Sequence, residues 1–314
     1  MRNHLFTLFG GTGFIGRYVV ERLADRDARI LVISRSPSTH GRHLQPLGAV
    51  DQIVVQSADL SSEAALRRAV AGATGVINLI GILYETGRQQ FAEVQGAVPG
   101  RIAAAARAEG VPRLVQVSAI GADRNSASAY ARSKAEGERR VREAFPDATI
   151  LRPSIVIGPE DGFFNRFAAL ARVLPALPLI GGGQTRFQPV YVGDVAQAVI
   201  AALERDDSVG QTYELGGPQV YTFADLMRYM LRVLGRNRLL LNVPFGVAEL
   251  QARVLELLPD PLLTRDQVQL LKQDNVVAPG MPDLDALGVT PTPIELIVPQ
   301  YLARYRATPV RPGQ

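Results

Sequence analysis

Cysteine and tryptophan are absent from this chain of 314 residues, and histidine and lysine nearly so. Without cysteine there is no disulfide framework, thiolate nucleophile or cysteine metal site. The three histidines, His4, His40 and His43, have no ligand spacing, so no metal is expected. No run of about eighteen apolar residues escapes a charge or a proline, which argues against a membrane-spanning helix. The first strand-like run begins within a few residues of Met1, leaving no secretory leader in view, and the expected compartment is the cytoplasm. A net charge of +4 on scattered arginines is too small and diffuse for a nucleic-acid surface. The shortage of lysine is the most pointed absence. Only Lys134 and Lys272 stand among many arginines, and such a lysine marks a place where a compact ammonium is wanted.

What is present is 47% hydrophobic and 20% charged, suiting one or two globular domains with a sizeable core. Strand-like runs at 5–9, 29–34, 52–55, 75–80, 113–118 and 148–152 alternate with helical patterns at 14–24, 61–71, 89–109 and 127–145. Several strands are apolar throughout, as expected where helices cover both faces. The predicted architecture is α/β, a doubly wound parallel sheet of the Rossmann type over 1–152. Beyond Arg152, prolines and glycines multiply. Helical stretches at 193–204, 222–234, 245–258 and 264–273 then predict a smaller, mostly helical lobe over 153–306, with the chain able to cross back to the sheet. Residues 307–314 read as a loose tail.

The sharpest motif is Gly10-Gly11-Thr12-Gly13-Phe14-Ile15-Gly16, between the first strand and the first helix. Gly10 lets the chain leave the strand tightly and Gly13 lets backbone amides approach a pyrophosphate. Gly16 lets the helix pack on the sheet with its positive end facing the anion. A flexible glycine turn is the plain alternative, disfavoured by this position. After the second strand come Ser34-Arg35-Ser36, where an enzyme using NAD usually carries an acid for the ribose hydroxyl. An arginine between two hydroxyls suits a 2′-phosphate, and Arg17 is placed to reach it or, alternatively, to pair with Glu21. NADP(H) is therefore the expected nucleotide. Asp59-Leu60 is placed to meet the adenine, or else Asp59 belongs to the cap of the next helix. Leu79-Ile80-Gly81, after Asn78, offers small-residue passage across the sheet edge.

Ser118 ends the fifth strand, and Tyr130 and Lys134 follow four residues apart on one helical face. An ammonium beside a phenol favours the phenolate, and a serine hydroxyl opposite can orient a carbonyl. The alternative is an aromatic and a snorkelling lysine on an ordinary amphipathic helix.

The glycine turn, Asp59, Ser118, Tyr130, Lys134 and Arg152-Pro153-Ser154 resemble the extended or atypical short-chain dehydrogenase/reductase superfamily. Within it, Val32-Ile33-Ser34-Arg35, Ala144-Phe145-Pro146 and Phe187-Gln188-Pro189-Val190-Tyr191 are most similar to the nucleotide-binding accessory subunits of respiratory complex I and their bacterial relatives. The resemblance implies bound NADPH, held by Gly10, Thr12, Gly13, Phe14, Ile15, Gly16, Arg17, Arg35, Asp59, Tyr130, Lys134 and the run Pro153, Ser154, Ile155. It also implies complex I subunits as partners, with location on the cytoplasmic face of the inner membrane. In such subunits the nucleotide is regarded as structural. The stretch between Ser118 and Tyr130 is shorter than in the sugar-nucleotide epimerases, and Ser126 and Ser128 compete for the role of catalytic hydroxyl.

Two readings stand. One is a nucleotide-binding accessory or stability factor of complex I. The other is an active NADPH-dependent oxidoreductase or epimerase on a carbonyl, sugar-nucleotide or quinone-pathway substrate, with Tyr130 as acid/base. In the second lobe, 163–180 reads either as a membrane or partner surface or as a pocket lid, while 239–241 and 245–258 read as core.

Overall fold

A computed structural model describes residues 1–306 apart from 3, 88, 259 and 260; the expected loose tail at 307–314 lies outside the described residues. The first half of the chain runs β1 (Leu5–Phe9), α1 (Phe14–Ala24), β2 (Arg29–Ile33), a short α2 (Pro37–His40), β3 (Ile53–Gln56), α3 (Glu63–Val70), β4 (Gly75–Asn78), α4 (Val98–Ala108), β5 (Leu114–Val117), α5 (Ala129–Ala144) and β6 (Thr149–Pro153). It continues through β7 (Val156–Ile157), α6 (Phe164–Val173), β8 (Ala176–Ile180), β9 (Arg186–Phe187), β10 (Val190–Tyr191), α7 (Val192–Glu204) and β11 (Thr212–Leu215). Last come β12 (Tyr221–Thr222), α8 (Phe223–Leu234), β13 (Leu239–Val243), α9 (Phe245–Leu255), α10 (Arg265–Leu270) and α11 (Ile294–Leu302). No helix among the described residues is long and apolar enough to cross a membrane.

The chain divides into two units. The first comprises Met1–Pro153, Val192–Leu215 and Val277–Thr290. Its sheet has seven strands in the order β11-β6-β5-β4-β1-β2-β3, every pair parallel. Phe9 lies opposite Ile33 of β2 and Asn78 of β4, so the carboxyl ends of these three strands share one edge. Phe6, Leu8 and Phe9 of β1 are all buried, because a strand between two helical layers has no solvent face. One layer brings Leu66, Val70, Ile102, Val141 and Phe145 onto the sheet. On the other, α1 packs against α7 through faces that include buried Val19, Leu23, Val195 and Val199.

The helix expected at 193–204 in the smaller lobe thus belongs to the sheet unit, and β11 supplies a seventh strand that the second half did not signal. Local pattern places a helix but not the layer that covers it. A second departure lies at 89–109, read as one helix: Ala92–Ala97 is π-helical and only then does α4 begin.

The second unit comprises Ser154–Tyr191, Gly216–Val276 and the stretch from Pro291. Its core gathers Phe164, Leu177, Phe187, Phe223, Met227, Met230 and Val298. Phe163 makes edge contacts with Phe164, Phe167 and Phe223, at centroid separations of 5.1, 5.4 and 6.0 Å. Within 163–180, Phe164, Ala168, Ala171, Leu177, Leu179 and Ile180 are buried and β8 pairs with β13, whereas Val173 and Leu174 are exposed. The opposite correction applies to 239–241 and 245–258. Ala248 and Ala252 are buried, but Leu239, Leu241, Val247, Leu250, Val254 and Leu257 are exposed, Leu257 at 84%. Helix α9 carries Glu249, Gln251 and Arg253 among its apolar residues, and only its packing shows which side is covered.

Candidate functional site

The glycine turn is built as a cradle at the carboxyl end of β1. Gly10 has φ +81°, a conformation that favours glycine, and a side chain there would meet Ile80 N and Leu79 C at 3.1 Å. Gly16 is more constrained still: a Cβ would sit 2.6 Å from Gly10 O and from Gly11 C and Cα. The turn closes on a Gly13 N–H donating to Gly10 O at 3.1 Å. Helix α1 then starts after Gly13 with no side-chain cap and no acidic residue in its first turn. Phe14 and Ile15 sit in this first turn, at the positive end of the helix dipole.

Around it the structure assembles several residues singled out in the sequence. Thr12 Oγ1 and Ser34 Oγ lie 3.4 Å apart, which joins the turn to the end of β2, and the Ser36 amide donates to Ser34 Oγ at 3.4 Å. Arg35 is exposed and makes no ion pair among the described residues; Arg17 is half-buried, on the first turn of α1. The Leu79 amide donates to Phe9 O at 2.8 Å and the Ile80 amide to Asn78 Oδ1 at 3.1 Å, fixing this loop against the glycines. Asn78 is itself held by Gln116, whose Oε1 accepts from Asn78 Nδ2 at 2.8 Å.

Asp59 is an exposed turn residue. Its Oδ1 accepts from the Ser61 amide and hydroxyl at 2.9 and 2.6 Å, bonds that hold its carboxyl below the usual range. Ser62, not Asp59, caps α3, through the Ala65 amide, and half-buried Leu60 stands between.

Helix α5 carries the other half. Ser128 caps it by accepting from the Ala131 amide at 3.2 Å, and Ser126 Oγ accepts from the Ser128 amide at 3.2 Å. Both competing serines are thereby engaged in building the helix start. Ser118 Oγ, by contrast, is buried without a hydrogen-bond partner among the described residues. Such a hydroxyl costs roughly 1–3 kcal/mol unless a ligand or water answers it.

Tyr130 packs edge-on against Phe91, with centroids 5.8 Å apart, and Lys134 Nζ lies 5.8 Å from the Tyr130 ring centre. Lys134 is only 7% exposed. Burial pulls its ammonium down to about 8, while the Glu138 carboxylate partly restores it. Lys272 is the opposite case: a half-exposed partner of Glu249 at 2.8 Å.

Gln95 carried no signal of its own in the sequence. It is 2% exposed on the π-helical turn, and both its amide atoms lack hydrogen-bond partners among the described residues. A Cβ on Gly81 would stand 3.3 Å from Lys134 Nζ and 3.7 Å from Gln95 Oε1, so the three meet at the end of β4. The available clue is indirect. Gly137 on α5 is a site where a Cβ would lie 2.1 Å from Gln95 O, and a glycine mid-helix announces close backbone approach.

Pro153 closes β6, its carbonyl accepting from the Ile120 amide at 3.0 Å. Ser154 and Ile155 belong to the second unit, where the Ser154 hydroxyl donates to Asn275 Oδ1 at 2.7 Å and the Ile155 amide to the same oxygen at 3.0 Å.

Known proteins are similar to this chain in sequence and in fold. The NAD dependent epimerase/dehydratase family pattern matches residues 6–216. NADH dehydrogenase (ubiquinone) 1 alpha subcomplex subunit 9 from Arabidopsis thaliana mitochondria is 37% identical over 311 residues, 96% of this chain and 77% of that protein. A protein named ceramide reductase from Caulobacter vibrioides is 33% identical over 237 residues, 75% of this chain and 72% of that one. Citrobacter triphenylmethane reductase, solved with NADP(H), shares the fold with a TM-score of 0.74 at 20% identity, covering 96% of this chain and 99% of that one. The chain therefore belongs to the NAD dependent epimerase/dehydratase family, in a branch shared with subunit 9 of the complex I alpha subcomplex.

Proposed function

We propose that this protein binds NADP(H) at the glycine turn and serves as a nucleotide-binding accessory subunit of respiratory complex I, docked peripherally on the membrane-embedded enzyme. The observation that carries the nucleotide half is the cradle itself: Gly10 and Gly16 leave no room for a side chain beneath an uncapped helix start. The complex I half rests on 37% identity along almost the whole chain to a protein of that name. Arg17 and Arg35 take the 2′-phosphate, with Ser34 and Ser36 as hydroxyl partners. The adenine end lies toward Asp59 and Leu60. Leu79, Ile80 and Gly81 line the crossing, and Tyr130, Lys134 and Pro153 are assigned to the nicotinamide end. A ligand that binds only the folded chain stabilises it by mass action, so the nucleotide acts as a structural strut.

A second reading is favoured by one observation, the unpartnered Ser118 hydroxyl on the unit that also carries Tyr130 and the low-pKa Lys134. When bound, NADPH supplies a hydride. In that reading Ser118 donates to a substrate carbonyl oxygen, Tyr130 delivers its phenol proton to the same oxygen, and the Lys134 ammonium favours the phenolate left behind.

Purification from native membranes separates the two. The accessory role expects co-migration with complex I and nucleotide that survives gel filtration. An isolated protein that oxidises NADPH with a carbonyl substrate, and loses turnover but not NADPH binding in Tyr130→Phe, would replace that role with catalysis.

A further inference from the structure

Lys134 and Glu138 lie one turn apart on the same face of α5, the spacing at which side chains meet. The Glu138 side chain is 9% exposed, and both its oxygens are taken by one guanidinium: Arg152 Nε donates at 2.9 Å and Nη2 at 2.6 Å. Arg152 also reaches Glu214 on the neighbouring strand β11, through Nη1 at 3.5 Å. Glu214 Oε2 in turn accepts from the Ala278 amide at 2.8 Å. Arg142, one turn further along α5, is the other cation near Glu138, but its hydrogen bonds are spent on the carbonyls of Pro146, Ala148, Gly210 and Gln211 and on the Thr212 hydroxyl.

Two buried carboxylates, Glu138 and Glu214, thus share the Arg152 guanidinium. Of the two further cations on which Glu138 acts, Arg142 is held by carbonyls, and Lys134 is nearly buried one turn before Glu138 on the same helix. On its other side Lys134 meets uncharged groups, the Tyr130 ring, Gly81 and Gln95. Glu138 is the charged group whose field bears on it.

We infer that Glu138 is a positioning residue of the nucleotide site: its carboxylate, locked in place by Arg152, keeps Lys134 in the ammonium form against an otherwise dry wall. The consequence for nucleotide binding rests on the reading of Lys134 as a nucleotide contact. The effect on Lys134 does not. Without Glu138, burial alone governs the lysine, and a larger share of molecules present a neutral amine to the ligand near neutral pH.

The two-lysine composition makes the test direct. Protein labelled with carbon-13 at lysine Cε gives two side-chain signals, which Lys272→Arg assigns. In the intact chain, Lys134 is expected to titrate about one unit or more lower in Glu138→Gln than in the wild type. In Arg152→Gln, which removes a nearby cation and leaves the carboxylate, the midpoint moves upward. Lys272 stays put in both. Shifts of opposite sign support the inference, because a merely structural ion pair would not move a lysine both ways. A Lys134 midpoint that is unchanged, or that moves in the same direction in both variants, overturns it, and should Glu138→Gln fail to fold, a midpoint that does not rise in Arg152→Gln overturns it as well. NADPH fluorescence titration of the same proteins adds the second half: in Glu138→Gln, affinity should fall at a lower pH than in the wild type. A wild type that binds no NADPH at any pH overturns the nucleotide reading and leaves the lysine titration to judge Glu138.

Discussion

Replacing Gly16 with alanine tests the cradle at its tightest point. The new Cβ would lie 2.6 Å from three backbone atoms, whereas ordinary contact begins at 3.4 Å, so α1 and the turn must separate by about 0.8 Å. Neither side can yield by rotating a side chain, since the neighbours are the Gly10 carbonyl and the Gly11 backbone. Overpacking of this kind costs about 1–3 kcal/mol, or a fall in Tm of roughly 1.5–5 °C for a chain of this size. The same displacement moves the first amides of α1 away from any phosphate held over the turn. Loss of one hydrogen bond to a charged group costs about 1.5–3 kcal/mol, equivalent to roughly ten- to hundredfold weaker NADPH binding. Gly162→Ala is the control, because a Cβ there meets nothing within 4 Å. Calorimetry with and without NADPH reads both quantities. Gly16→Ala with the wild-type Tm and the wild-type ligand-induced shift would refute the packing argument and the phosphate assignment together.

The preference for the phosphorylated nucleotide is separable. Arg35→Ala should weaken NADPH roughly tenfold or more and leave NADH nearly unchanged, and equal losses measured by fluorescence would remove the 2′-phosphate assignment. In the second unit, the Tyr301 hydroxyl donates to buried Asp161, which also accepts from the Gly158, Phe163 and Asn165 amides. Burial holds the Asp161 carboxyl above its usual value despite these donors. Its folded form therefore binds a proton more tightly than the unfolded chain does. That contribution to stability is complete below 3.8 and is lost as pH rises through the folded value. Tyr301→Phe removes a donor to the charged form, so it should cost about 1.5–3 kcal/mol near neutral pH and less as acid protonates Asp161. A denaturant-measured deficit that does not shrink in acid would contradict this account.

The exposed apolar side chains of α9 show where local pattern stops being informative. Val247, Leu250 and Val254 of α9 are exposed while Ala248 and Ala252 are buried, and hydrophobicity alone does not say which side another element covers. The same holds for 163–180, where the aromatic cluster turned inward.

The first strand, the glycine turn, α1 and the Tyr130–Lys134 spacing are all legible in the amino-acid sequence, because each is a local event: burial period, backbone freedom, and two side chains one helical turn apart. The scarcity of lysine draws attention to Lys134, which the fold buries. What the tertiary structure alone decides is long-range. The return of α7 and β11 to the sheet, the meeting of Gln95 with Lys134 and Gly81, and the clamp of Arg152 on Glu138 and Glu214 join residues far apart along the chain. No periodicity encodes such pairings. They follow from which surfaces the folded layers bring together and from the cost of leaving a buried charge or amide unanswered.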